Sequence, residues 1–164
     1  MPYMQFIELY LLFAMVAVVW FDVTRYIIPN WLVGSLVLLY PLWVWLYHPE
    51  LDWKMALAAM GIVFAVGYGI YMMKWMGAGD IKFLTGLSLW VGYAGLVDFL
   101  ITVALLGGVL SVGLWLGRKP LPRLMAGKTL PRILREGEPV PYGVAISVAF
   151  LLAVMAGKIP GFVW

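Results

Sequence analysis

Residues 75–83 read WMGAGDIKF, a short polar interruption in which a Gly-Ala-Gly turn, Asp80 and Lys82 stand between two apolar runs. The run before it spans about 55–75 and the one after it about 82–94, and further runs lie near 4–21, 31–47, 96–117 and 142–157. The chain has 164 residues, 65% hydrophobic and 12% charged, whereas a soluble domain is roughly 45–50% apolar and about 25% charged. Such a composition belongs to an integral membrane protein. Lipid leaves backbone groups unsatisfied in anything but helices or closed barrels, and no alternating strand pattern is visible. The expected fold is therefore all-α and polytopic, a single transmembrane domain over 1–164 with about six spans of about 20 residues each. The short fourth run implies a tilted helix or one that starts below the bilayer surface.

The first run lacks a basic leader and a small-residue cleavage site, so it reads as a retained span. Orientation follows from Lys and Arg. Nine of the eleven fall in the first, third and fifth loops: Arg25; Lys74 and Lys82; and Arg118, Lys119, Arg123, Lys128, Arg132 and Arg135. Only Lys54 and Lys158 fall on the other side. Loops one, three and five are thus expected in the cytoplasm and both termini outside. The fifth loop interleaves basic and apolar residues between prolines, which suits contact with the anionic cytoplasmic leaflet. Its acidic pair, Glu136 and Glu138, suits local salt bridges or the docking of a basic segment.

With no cysteine and one histidine, His48, the chain has no means for disulfides, C-x-x-C zinc sites, thiol catalysis or a multi-histidine metal centre. No metal, cofactor or nucleic-acid partner is expected. Of the eight acidic residues, Glu50 and Asp52 fall in an outer loop as solvated charges. Glu8 and Asp98 lie near the outer ends of spans, where a carboxylate anchors a helix or makes a polar contact. Asp22 and Asp80 remain. Each stands at the inner end of a span, at the same depth and on the same face, where charge is costly and marks function.

Two carboxylates brought together cannot both ionise easily, so such a pair shares a proton. One member can then draw a proton from water while the other polarises a carbonyl, as in aspartyl proteases. Gly77 and Gly79 give Asp80 a sharp turn and room for a substrate backbone. Lys74 and Lys82 would act on Asp80 if they point inward, whereas at the surface they would snorkel to the headgroups. Asp22 alone would be an ordinary helix-end charge paired with Arg25. Downstream of it, Pro29 and Asn30 separate the first two helices, with Asn30 placed to cap the second. Pro139, Pro141, Tyr142 and Gly143 bring a rigid turn to the same inner face, with Tyr142 either a headgroup anchor or a groove wall.

Three stretches taken together, FDVTRYIIPNW, MGAGDIK and PYGVAI, resemble the motifs of the type IV leader peptidase family, and within it the short Tad/Flp-type prepilin peptidases. The resemblance implies that Asp22 and Asp80 are catalytic, with Gly77, Gly79, Lys82, Pro29, Asn30, Pro141, Tyr142 and Gly143 in support. It implies removal of the basic leader of prepilin or pseudopilin precursors at the cytoplasmic face of the inner membrane, with pilus-assembly or secretion machinery as further partners. Long members carry a zinc-binding methyltransferase region; its cysteines are missing here, so peptidase activity alone is expected. The Arg-Tyr-Ile-Ile before Pro-Asn is less basic than is usual in the family. Rival readings are a preflagellin or signal-peptide peptidase, a small ion-coupled transporter using the same carboxylates, and a non-catalytic scaffold.

Overall fold

A computed structural model describes residues 2–118, 132–135, 137–160 and 162, with side chains from residue 6 onward. Lys119, Arg123, Lys128 and Glu136 of the basic loop lie outside the described residues. Five α-helices follow in order: α1 (Pro2–Arg25), α2 (Asn30–Tyr47), α3 (Trp53–Met72), α4 (Ala78–Arg118) and α5 (Tyr142–Met155), with a 3-10 turn at Arg132–Leu134 before α5. No strand occurs among the described residues. The first four helices are long and apolar enough to cross a membrane, and α5 is a shorter apolar helix. Large apolar side chains such as Leu38, Trp45, Val109 and Met155 point outward. Lipid accepts that arrangement, and water would not.

Helix ends follow local chemistry. Asp52 caps α3, its Oδ1 accepting from Lys54 N at 3.1 Å and Met55 N at 3.2 Å. It is therefore more than the solvated loop charge expected from the sequence. Pro29, at φ −63°, is the N-cap of α2, and its carbonyl takes the amides of Leu32 and Val33. The expectation that Asn30 caps α2 is corrected: Asn30 is already the first helical residue, and its Oδ1 accepts from Lys82 Nζ at 3.4 Å.

The 41-residue α4 is broken at Gly92, whose φ of +70° and ψ of 176° lie outside the helical range. A straight helix of that length would be about 60 Å long. Instead its two ends reach one place. Asp80, near the start, and Pro139 line the same cavity, and Arg118, at the end, donates to the carbonyl of Pro139 at 2.9 Å. Tyr142 of that cavity also packs on Gly107. Asp80 and Gly107 lie about 18 Å and about 22 Å along the helix from Gly92 at 1.5 Å per residue, so α4 folds back on itself. The runs near 82–94 and 96–117 are its two limbs.

The core is thickest near this fold. Trp90 donates from Nε1 to the Leu36 carbonyl at 3.0 Å. Its ring centroid lies 5.2 Å from Trp43 and 5.4 Å from Tyr40, and Phe162 stacks 5.3 Å from Trp43. These aromatic contacts clamp α2, the first limb of α4 just before the Gly92 bend and the chain after α5. They stand at the opposite end of the helices from the Asp80 cavity.

A Cβ on Gly92 would meet only Pro160 Cγ, at 3.9 Å, so the position is constrained by backbone angle and not by space. Gly92→Ala is expected to cost about 1–3 kcal/mol, read as a lowered Tm in detergent. An unchanged Tm would mean that the bend does not depend on a backbone conformation reserved for glycine.

Candidate active site

Asp22 sits in the last turn of α1, only 5% exposed. Its Oδ2 accepts from the Gly143 backbone N–H at 2.7 Å. The first amides of a helix have no partner within it, and Pro141, the N-cap of α5, offers no side-chain hydrogen bond. A carboxylate from α1 therefore caps α5 from outside. The contact explains the glycine. A Cβ at Gly143 would lie 2.7 Å from Asp22 Oδ2 and 3.1 Å from both Val18 Cγ1 and Ile28 Cδ1.

Asp80 is the third residue of α4 and turns its carboxyl back to the backbone of Gly77. The Ile81 amide closes the first turn of the helix on the Gly77 carbonyl at 3.2 Å. This is the carboxylate half of a capping box. A Cβ at Gly77 would come within 3.1 Å of Asp80 Oδ2, whereas one at Gly79 would make only ordinary contact with Ile28. Neither glycine has a positive φ. The glycine that clears space for a carboxylate on this side is thus Gly77, and the turn itself does not require left-handed backbone.

Both aspartates line one cavity of about 780 Å³, lined also by Ile28, Met76, Val140 and Tyr142. Each carboxylate stands at a helix N-terminus, Asp80 at its own and Asp22 at that of α5, where the backbone dipoles favour negative charge. Asp80 lies within electrostatic reach of Asp22. The arrangement puts two carboxyl groups and space for a water and a peptide in one partly open chamber.

The remaining candidates divide. Tyr142 forms a wall: its ring packs on Gly107 and its hydroxyl meets Ser111 Oγ at 3.4 Å. Gly143 contacts Asp22 directly, whereas Pro29 and Pro141 act as helix N-caps. Lys82 is exposed and binds Asn30, which ties the start of α4 to the start of α2. Lys74 lines the cavity. Arg25 lies over the Phe21 ring at 5.5 Å, so it is not the partner that holds Asp22. Asp98 pairs with Lys158 Nζ at 2.7 Å, and Glu138 with Arg132 at 3.1 Å beside Tyr26. Glu8 borders an apolar groove between α1 and α5.

The sequence reading gave no role to Tyr26, which lines the cavity at a φ of +54°. The Arg132 guanidinium covers its ring at 5.2 Å. Burial, and then the charge of Glu138, push its phenol above the usual range, so it stays a neutral hydroxyl. The available signal was that α1 ends with no glycine or asparagine at its close.

A model of the type IV leader peptidase family matches residues 9–112. The chain belongs to that family. No curated protein and no solved structure shows a significant similarity to it. The family match takes in both aspartates and ends before Gly143, so the third motif is tied to the site by geometry: Gly143 donates to Asp22 and Tyr142 lines the cavity.

Gly143→Ala forces the Asp22 carboxylate to move. Because a displacement of about 1 Å can cost about 100-fold in rate, peptidase turnover is expected to fall by that order while the protein remains monodisperse in detergent. Turnover within about threefold of wild type would contradict the close approach.

Proposed function

We propose that this member of the type IV leader peptidase family is an intramembrane aspartyl endopeptidase whose catalytic pair is Asp22 and Asp80. In the reaction the ionised carboxylate takes a proton from water as the water oxygen bonds to the scissile carbonyl carbon. The protonated carboxyl donates to the carbonyl oxygen. Collapse of the tetrahedral intermediate breaks the C–N bond, and the proton passes to the departing amine. No metal enters this scheme, and among the described residues no cluster of His, Cys, Asp or Glu of metal-binding size occurs. The single observation that carries the reading is one cavity lined by two carboxylates from different helices, each resting on backbone amides of a helix N-terminus.

The substrate is proposed to be a type IV or Flp/Tad prepilin-like precursor, cut between its basic leader and the hydrophobic segment that follows. The chamber has the mixed character this requires, with a carboxylate pair and apolar walls from Ile28, Met76 and Val140. Orientation is part of the proposal. Arg25, Lys74, Lys82 and Arg118 flank the helix ends that converge on the cavity, and the positive-inside rule puts that end in the cytoplasm. The anionic leaflet beneath it and the pilus-assembly or secretion machinery are the proposed surroundings. These 164 residues hold no cysteine for a zinc site, and leader removal without methyl transfer is the proposed activity.

Co-expression with a prepilin-like precursor tests this. Leader removal is expected for wild type and at least about 1000-fold less for Asp22→Asn and for Asp80→Asn, since each amide keeps the shape but cannot exchange the proton. Cleavage that persists in either variant removes the pair, and cleavage absent from wild type removes the activity.

A further inference from the structure

Helix α3 ends in a Schellman arrangement. Lys74 N donates to the Tyr71 carbonyl at 2.8 Å and Trp75 N to the Ile70 carbonyl at 3.2 Å, with Lys74 in the left-handed position at φ +60°. Helix α5 closes in the same way at the other end of the molecule: Gly157 N donates to Val154 and Lys158 N to Ala153, both at 2.9 Å, with Gly157 at φ +64°. Glycine suits this position because a Cβ there crowds the backbone. One cap has it and the other has lysine.

Helix α1 repeats the exception. Tyr26 N donates to the Asp22 carbonyl at 3.0 Å while Tyr26 holds φ +54°. Tyr26 and Lys74 are the non-glycine residues of positive φ among the described residues, and both line the aspartate cavity. Strained backbone of this kind clusters where a side chain has work to do. Lys74 is exposed at the cavity, and among the described residues its ammonium makes no ion pair or hydrogen bond. An ammonium is donor-only, so what fits it is an oxygen acceptor. The segment that carries Lys74 runs directly into Gly77 and Asp80, so a ligand held by Lys74 is registered against that carboxylate.

We propose that Lys74 is a substrate-binding residue of this cavity, held in a strained helix cap so that its ammonium meets an oxygen acceptor of the precursor peptide close to the scissile bond. The inference rests on the aspartyl peptidase reading above. A cap that served only to end α3 would be better made from glycine, and that difference makes the two roles separable.

Purified protein in neutral detergent, titrated with precursor, provides the test. Lys74→Gly is expected to keep or raise Tm, because the backbone strain is relieved, and to raise KM about tenfold or more with kcat within about threefold. Lys74→Arg, which keeps the charge and the strained backbone, is expected to hold KM within about threefold of wild type. If the glycine variant does not fold, Lys74→Met replaces it, with the same rise in KM expected. An unchanged KM in the charge-free variant overturns the inference, as does a defect seen only in anionic-lipid vesicles, which would assign the ammonium to a lipid phosphate. Wild type and Asp80→Asn run alongside. Active wild type, dead Asp80→Asn and normal Lys74→Gly would sink this inference alone, whereas inactive wild type or active Asp80→Asn would sink the peptidase reading and this inference with it.

Discussion

The hydrogen bond from Gly143 N to Asp22 Oδ2 joins residues 121 positions apart and holds the end of α1 to the start of α5. A buried carboxylate left without donors costs several kcal/mol, whereas one that receives a helix amide gains about 1.5–3 kcal/mol. Other contacts fix the geometry around that bond. Tyr142, next in the chain, packs on Gly107 of the second limb of α4, and Arg118 at the end of that limb donates to the carbonyls of Ile133, Glu138 and Pro139. The N-terminus of α5 is thus fixed from α1 and α4 together. Because α4 folds back at Gly92, the limb that positions Tyr142 and the limb that carries Asp80 are consecutive in the chain.

That economy gives the site its chemistry. Two helix N-termini, of α4 and α5, converge on one chamber, and each presents its unpaired amides to a different carboxylate. Oriented backbone dipoles act strongly where the surrounding dielectric is low, which favours acidic groups at these two helix ends. The aromatic cluster of Tyr40, Trp43, Trp90 and Phe162 sits at the far end, so it and the aspartate chamber occupy opposite ends of the helices. The left-handed residues at the functional end cost about 1–2 kcal/mol each. Packing elsewhere in the helices sustains that strain.

Much of this was legible in the sequence. Apolar composition dictated membrane helices, and Asp22 and Asp80 stood apart from the other acids because only they end or begin spans on the basic side. Asp52, read as a solvated charge, is a helix cap, although an aspartate directly before an apolar run is a recognisable start signal. Asn30 and Lys82 could not be assigned from local sequence, because each takes the other as partner across 52 residues. The positive φ of Lys74 and Tyr26 was hidden for a different reason. A left-handed lysine or tyrosine is announced by no residue pattern, only by the absence of glycine at a helix end.

The central claim is that both carboxylates act on one scissile amide, one through the attacking water and the other on the carbonyl oxygen, and it can be measured without turnover. A precursor peptide whose scissile amide is replaced by a hydroxyl-bearing tetrahedral isostere mimics the intermediate, and such analogues bind at least about 100-fold more tightly than substrate. Calorimetric titration is expected to give that gain for wild type and to lose it for Asp22→Asn and for Asp80→Asn separately. Equal affinity for isostere and amide in wild type, or a gain that survives either substitution, would contradict the account.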